Sequence, residues 1–200
     1  MSRTENPRAE FAYRCAFQIL SLEPFSFHEK SIPTHHVLIS GLEARIKEKF
    51  KKDNLFQEIH LILYLVNREK FYSQKNFTAE QQKQLNDFLQ EQQTKLAKNY
   101  KSYVKKMPML IKNNGLAATY AFIYSKQSKE LAYELIYQQT KEWLIIHSPA
   151  FIDFTNQELM LAIISLNTPE YRAITREVQT FMSWVSRFAT GLIEGDEEDG

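Results

Sequence analysis

Cysteine is almost missing from this chain of 200 residues, since Cys15 is the only one. A single thiol excludes an internal disulfide and a zinc site built from several cysteines. Long apolar runs are missing too, because the longest, 61–66, is far too short to cross a bilayer. No apolar run at the amino terminus precedes a cleavage-like site. We therefore expect a cytoplasmic protein with no membrane partner.

Glycine and proline are scarce, with five and six residues, and strand alternation and hairpin dipeptides do not occur. Apolar residues instead recur at helical spacing. The pattern predicts an all-α protein: one helical domain over 1–193, a single bundle of about seven to eight helices, and an acidic flexible tail over 194–200. Helices are predicted over about 7–22, 34–50, 53–72, 78–107, 116–124, 128–146, 155–166 and 168–193.

Capping signals mark several helix starts. Thr78 with Gln81, and Thr155 with Glu158, form capping boxes, in which each side chain satisfies a free backbone N–H. Asn6-Pro7 is predicted as an N-cap followed by proline at the first helical position, where the missing N–H costs nothing.

Two signals near the middle of the chain indicate changes of direction. Pro108 lies inside a helical pattern, where it removes one backbone donor and crowds the carbonyl of Val104. We therefore expect a kink or a break there. Asn114-Gly115 then predicts a left-handed helix cap, followed by a short apolar helix.

Acidic residues are absent from one stretch, 92–129, although the net charge of the chain is only +1. Removing its eight lysines from the 25 basic residues leaves 17 against 24 acidic ones, so positive charge is concentrated in this stretch. Such a distribution favours one surface that faces a polyanion. The lysines are Lys95, Lys98, Lys101, Lys105, Lys106, Lys112, Lys126 and Lys129.

Helical projection separates charge from apolar side chains in two segments. Over 95–112, the apolar side chains fall within an arc of about 120° and the lysines lie opposite. The apolar arc contains Leu96, Tyr100, Tyr103, Val104, Met107, Leu110 and Ile111. The last helix likewise opposes an apolar stripe with a polar face, made of Arg172, Arg176, Gln179, Ser183 and Arg187.

A solvated helix surface is the simplest interpretation of either polar face. Solvated faces, however, usually mix signs through i,i+4 pairs, and beyond Glu91 and Lys95 the lysines of this helix have no carboxylate partner on it. Arginine beside amides and hydroxyls also suits contacts with phosphate and sugar. From the residues alone, the two interpretations stand about even.

Recognisable catalytic arrangements are missing. The five histidines form no His-x-x-x-His or Glu-x-x-His pair that would hold a metal on a helix. A P-loop, a Gly-x-Ser-x-Gly elbow and a Cys–His arrangement are absent as well. We predict no metal, no cofactor and no catalytic residue. Trp143 and Trp184 are interpreted as core or interface residues, with stacking on bases as the alternative.

Three segments carry a resemblance to a known family. They are RAEFAYRCAF (8–17), YKSYVKKMPMLIKNNGLAATYAFIYSK (100–126) and EYRAITREVQTFMSWVSRFATGL (170–192). In this order they resemble the small subunit of Cmr-type (type III-B) CRISPR RNA-targeting complexes. The resemblance covers about 7–22 and 94–193 as a family-like core and leaves 25–92 as a helical insertion.

The resemblance implies a non-catalytic subunit of antiviral defence, present in several copies. Its partners would be the backbone and large subunits, copies of itself, guide RNA and target RNA, and its basic surfaces would flank the channel in which the RNAs pair. The predicted RNA-binding residues are Lys98, Lys101, Lys105, Lys106, Lys112, Arg172, Arg176 and Arg187. The main alternative is a protein scaffold that makes no direct RNA contact, and a less favoured one is a nuclease.

Overall fold

The computed structural model of the chain describes residues 6–21, 26–27, 30–31, 34–52, 72, 76–148 and 157–194. These residues contain seven α-helices, which confirms the predicted all-α class. The helices are α1 (Pro7–Ser21), α2 (Thr34–Lys49), α3 (Ala79–Asn114), α4 (Leu116–Gln127), α5 (Leu131–His147), α6 (Leu159–Ile164) and α7 (Thr168–Leu192). The predicted helix over 53–72, apart from Tyr72, and residues 195–200 of the predicted tail lie outside the described residues.

Among the described residues, one antiparallel pair of two-residue strands follows α1. β1 (Ser26–Phe27) pairs with β2 (Lys30–Ser31), with Ser26 opposite Ser31 and Phe27 opposite Lys30. The sequence analysis did not predict this pair, because two residues per strand are too few for an alternating pattern to show.

Two helices begin with the side-chain caps that the sequence predicted. At α1, the backbone N–H of Ala9 donates to Asn6 Oδ1 over 3.2 Å. At α3, the N–H of Gln81 donates to Thr78 Oγ1 (3.2 Å) and the N–H of Thr78 donates to Gln81 Oε1 (3.1 Å), which completes the capping box.

α7 begins at Thr168, as predicted, and Asn167 caps it through a box with Glu170. The start of α6 differs from the prediction. Glu158, which we placed inside a helix as the partner of a threonine outside the described residues, is itself the N-cap of α6. Its carboxylate accepts from the N–H groups of Met160 and Leu161. A glutamate can satisfy the free donors alone, so α6 begins later than predicted.

α3 continues through Pro108, so the break that we allowed for does not occur. Proline removes one donor and crowds one carbonyl, both local costs within a single turn. On either side of it, Val104, Met107 and Ile111 are buried in the core and hold the inward face of the helix. Packing therefore overrides the local cost of proline at this position.

Gly115 separates α3 from α4. Its φ of +82° lies in the positive range that the sequence predicted, and its N–H donates to the carbonyl of Ile111 over 3.0 Å. Its ψ of 163° is extended, so Gly115 does not adopt the left-handed helical cap that we predicted but another positive-φ conformation that only glycine adopts easily. α4 can therefore leave the direction of α3 within one residue.

α3 is the central element of the bundle. It packs against α7, α5, α4, α1 and α2, while α1 packs against α7. Some buried polar side chains between these helices pair with one another. The hydroxyl of Tyr100 donates to Gln139 Oε1, and the hydroxyls of Tyr120 and Thr140 are hydrogen-bonded, both over 2.6 Å.

The predicted insertion contributes to the same core. Leu38 and Leu42 of α2, and Leu85 of α3, are buried with the side chains of the other helices. α2 also approaches α5 closely, since a Cβ on Gly41 would lie 2.6 Å from Leu131. In the described part of the chain, none of the helices combines the length and the apolar character needed to cross a membrane.

Candidate nucleic-acid interface

The lysines of α3 lie away from the core, as the helical projection predicted. Most members of its apolar arc are buried, and Tyr103 and Leu110 are half-buried. The lysines that are exposed are Lys95, Lys98, Lys105, Lys106 and Lys112.

Lys101 differs from the other lysines because it is half-buried and bound within the fold. Its Nζ donates to the backbone carbonyl of Ile193 over 2.8 Å. That carbonyl follows the end of α7, where free carbonyls favour a cation. The position of α7 relative to α3 cannot be read from local spacing, so the sequence could not separate Lys101 from its neighbours.

The arginines of α7 are also exposed. Arg172, Arg176 and Arg187 lie opposite the buried stripe that contains Val178. The guanidinium carbon of Arg187 lies 5.3 Å from the ring centroid of Trp184, within the range of a cation–π contact. Ser183 also lies on this face, but its hydroxyl donates to the carbonyl of Gln179. The hydroxyl can therefore only accept a hydrogen bond from a partner.

Most of these cations have no acidic partner in the described part of the chain. The ion pairs found there are Arg8–Glu177, Arg14–Glu10, Arg45–Glu130 and Lys51–Glu48. Lys105, Lys106, Lys112, Arg172 and Arg176 belong to none of them. None of these four ion pairs therefore offsets the charge of these five cations.

Two long-range hydrogen bonds determine how α3 and α7 lie together. Lys101, in the middle of α3, reaches Ile193 at the end of α7. Ala117, just after α3, donates its N–H to the hydroxyl of Tyr171 near the start of α7 over 3.1 Å. The two helices therefore run antiparallel, and the second half of α3 lies beside α7 along most of its length.

The lysines divide into two groups around α3. Positions around the helix axis follow from about 100° per residue. Measured from Lys101, Lys112 is turned by about 20°, Lys105 by about 40° and Lys98 by about 60°. Because Lys101 contacts α7, these lysines lie on the flank of α3 next to α7. Lys106 is turned about 140° from Lys101 and points to the other side.

On α7, the two hydrogen bonds described above are made by Tyr171 near its start and Ile193 just after its end. These two residues mark the side of α7 that faces α3. Arg172 lies nearest to that flank, and Arg176 and Arg187 are turned about 40° and 60° further outward. We call the shared surface the cationic groove. It is formed by Lys98, Lys105 and Lys112 of α3 and Arg172 of α7.

The cationic groove suits phosphate better than base edges. Ammonium and guanidinium groups on helix surfaces contact phosphate oxygens without regard to sequence. By this projection four of the eight predicted residues line the groove, Arg176 and Arg187 lie on the adjacent crest of α7, and Lys106 points away. Lys101 differs because it is hydrogen-bonded within the fold.

Cys15, the only thiol of the chain, is buried in α1. Burial raises the pKa of the Cys15 thiol well above its usual value, and nearby Glu142 raises it further. A thiol that stays protonated in the core is a poor nucleophile. Across the ranges that the structure describes, no three His, Cys, Asp or Glu side chains are placed to hold a metal ion.

Sequence reasoning did not single out two exposed aromatic side chains of α1. Tyr13 and Phe17 are 40% and 42% exposed, and their rings stack with centroids 5.9 Å apart. Their i,i+4 spacing, on the side opposite the buried Cys15, was the available signal.

A comparison with protein families identifies one match. The family model described as CRISPR-associated protein (Cas_Cmr5) matches residues 73–192, more than half of the chain. The match includes α3, α4, α5, α6 and α7. It therefore covers both helices that form the cationic groove.

Proposed function

Because the chain belongs to the Cas_Cmr5 family, the small subunits of Cmr-type (type III-B) CRISPR-Cas complexes, we propose that it is a non-catalytic RNA-binding subunit. In this proposal it acts in the cytoplasm in antiviral defence. It lines the channel in which guide RNA and target RNA pair, and it bridges neighbouring subunits.

The observation that supports the proposal is the set of exposed cations Lys105, Lys112 and Arg172, which belong to none of the ion pairs given above. They come from two helices that are far apart in the sequence, and the helical projection assigns them to one flank. Like charges brought together repel each other unless a polyanion neutralises them. An RNA backbone supplies such a polyanion.

Binding through phosphates predicts no preference for sequence. Each neutralised phosphate releases counterions, so affinity falls as the salt concentration rises. A subunit that must accept any guide and any target benefits from this kind of contact. Several copies along one RNA, together with the backbone and large subunits, would add avidity to a weak individual site.

A salt series of RNA titrations with the purified full-length chain tests the proposal. We expect the logarithm of the affinity for single-stranded RNA to fall by about 0.7 per phosphate contact for a tenfold rise in salt. The variant Lys105→Ala/Lys112→Ala/Arg172→Ala should reduce that slope by about 2. Fluorescence anisotropy with a labelled RNA measures both affinity and slope.

Two controls match this variant. Lys49→Ala/Lys52→Ala/Lys83→Ala removes three exposed lysines outside both polar faces and should leave the slope unchanged. Lys105→Ala and Lys106→Ala change adjacent exposed lysines that point to different sides, and only the first should reduce the slope. Equal slopes for the wild type and the triple groove variant would show that the groove does not hold RNA.

A scaffold without RNA contact is the second candidate, and exposed apolar side chains favour it. Leu161 and Ile164 of α6 are 60% and 61% exposed, as is typical of a surface covered by another protein. Copurification of the chain with the complex, combined with no RNA crosslinks to α3 or α7, would support the scaffold. Crosslinks to the cationic groove would exclude it.

A further inference from the structure

An aromatic surface lies on the other side of α7 from the cationic groove. The rings of Tyr13 and Phe17 of α1 stack with an interplanar angle of 11°. Tyr13 packs edge-on against Phe188 of α7, with centroids 5.6 Å apart, and Phe188 stacks on Trp184 over 5.8 Å. We call these four side chains the aromatic row.

The aromatic row crosses from one helix to the next because α1 and α7 run parallel. Arg8, near the start of α1, pairs with Glu177 in the first half of α7 through two hydrogen bonds of 2.9 and 2.8 Å. Further along, Tyr13 meets Phe188. The row is therefore a ridge of neighbouring rings fixed on two helices, which keeps its shape without a ligand.

The aromatic row is also open to solvent. Tyr13 and Phe17 are exposed, and Trp184 and Phe188 are half-buried. Trp143, by contrast, is buried and donates its indole N–H to Glu177 over 2.9 Å. Of the two tryptophans, only Trp184 is therefore accessible to a partner.

Arg187 joins the aromatic row to the polar face of α7. Its guanidinium lies over the ring of Trp184, while the side chain itself is exposed on the crest between the row and the cationic groove. The groove and the row thus lie on opposite flanks of one helix, about 10 Å across. Cations therefore lie on one side of Arg187 and exposed rings on the other.

We propose that the aromatic row stacks with the unpaired bases of single-stranded RNA whose phosphates lie in the cationic groove. The inference rests on the proposed function and adds a preference for single strands over duplex. A positively charged track beside exposed rings is the combination that holds single-stranded nucleic acid without reading its sequence. Duplex RNA keeps its bases paired and stacked inside the helix, so it presents no free base face to the row.

The arrangement of charge favours RNA over a protein as the occupant of the row. Arg187 lies directly on one of the rings, and Arg172 and Arg176 follow on the same helix, all on the exposed face of α7. An apolar protein surface that covered the row would remove water from the guanidinium of Arg187 without supplying a negative charge. Burying a charge in this way is unfavourable. An RNA strand supplies both the base for the ring and the phosphate for the guanidinium.

Tryptophan fluorescence gives a direct readout of stacking. We expect single-stranded oligouridine or oligoadenosine to quench the emission of Trp184 and duplex RNA of equal length to leave it unchanged. Trp143 is buried and supplies a constant background. The variant Trp184→Phe should lose the quenching while it keeps most of the affinity, since phenylalanine retains a ring face.

Leucine variants separate base stacking from protein docking. Tyr13→Leu/Phe17→Leu keeps apolar area but removes two ring faces, so we expect the affinity for single-stranded RNA to fall about tenfold. The salt slope should stay close to that of the wild type. The matched control is Phe122→Leu, because Phe122 is an exposed aromatic (45%) on α4, outside the row; it should have no effect.

The possible results distinguish this inference from the proposed function. Salt-dependent RNA binding that depends on the groove, with no quenching of Trp184 and no effect of the leucine variants, would overturn the aromatic row and leave the groove intact. No RNA binding at all would overturn both. Lost self-association in Tyr13→Ala/Phe17→Ala, with RNA affinity unchanged, would assign the row to a protein contact and overturn the inference.

Discussion

The two parts of α3 bury similar side chains but expose different charges. The first part, 79–91, places Leu85 in the same core as Leu96 and Val104 of the second part, 92–114. On its outer side the first part carries Glu80, Asp87 and Glu91 together with Lys83. The second part carries lysines and no acidic residue.

The difference shows that packing and surface charge are set independently along one helix. The core requires only the inward stripe, and that stripe continues through both parts and past Pro108. The mixed charge of the first part is typical of a solvated helix. The single sign of the second part, beside α7, is better explained by an anionic partner.

The largest expected effect concerns the buried leucines that both parts of α3 contribute to the core. Leu85 and Leu96 are 0% and 1% exposed, so Leu85→Ala and Leu96→Ala should each lower the free energy of unfolding by about 2–5 kcal/mol. Urea denaturation followed by circular dichroism measures both losses. A loss well below about 1 kcal/mol for Leu85→Ala alone would show that the first part of α3 lies outside the cooperative core.

A change of opposite sign is expected at Pro108. Pro108→Ala restores a backbone donor inside α3, so we expect the free energy of unfolding to rise by about 1–3 kcal/mol. Pro169→Ala is the control, because Pro169 lies in the first turn of α7, where no donor is needed. A destabilised Pro108→Ala variant would mean that the core depends on the helix geometry that proline imposes.

A smaller effect, on RNA affinity, is expected when the acidic residues of the first part of α3 are replaced by lysines like those of the second part. Asp87 and Glu91 continue the flank that carries Lys98 and Lys105, by helical projection. Asp87→Lys/Glu91→Lys should therefore raise the affinity for RNA about two- to fivefold and steepen its salt dependence. The neutral variant Asp87→Asn/Glu91→Gln should have an RNA affinity between those of the wild type and the lysine variant. An unchanged affinity would confine RNA to the stretch beside α7.

The smallest effect concerns Glu134, which lines a cleft of about 590 Å³ with Arg45 of α2, Phe88 and Gln92 of α3 and Glu130. Burial raises the pKa of Glu134 above its ordinary value of 4.5, so its ionised form destabilises the folded state at neutral pH. Glu134→Gln should then be slightly more stable than the wild type at pH 7. The advantage should shrink as pH falls through the raised pKa and disappear below the ordinary value.

Thermal unfolding of the wild type and Glu134→Gln between pH 4 and pH 8 measures this difference. A Glu134→Gln variant that is less stable than the wild type at pH 7 would show that the carboxylate is stabilised in the cleft, for example by Arg45, and not penalised there. That outcome would reverse the expected sign of the pH dependence.

Local features of the fold were predictable because their causes lie within a few residues. The capping box of Thr78 and Gln81, the positive φ of Gly115 and the sorting of the α3 lysines away from the core all follow from short-range spacing. The course of α3 through Pro108 was not predictable, because distant helices supply the packing that holds it.

The candidate site, too, could be predicted from the sequence only in part. The sequence identified which cations are exposed, but not that Lys101 binds Ile193, that Lys106 points away or that α3 and α7 run antiparallel. Each of these depends on contacts between residues more than 50 positions apart. Side-chain spacing along one helix contains no information about its neighbour.

The hydrogen bond Lys101–Ile193 joins the middle of α3 to the residue that follows α7, and Ala117–Tyr171 joins the start of α4 to the start of α7. Both ends of α7 are therefore tied to the elements beside the proposed groove. If the groove binds RNA as proposed, its charges are held in place beforehand, and the entropy lost on association would fall mainly on the strand.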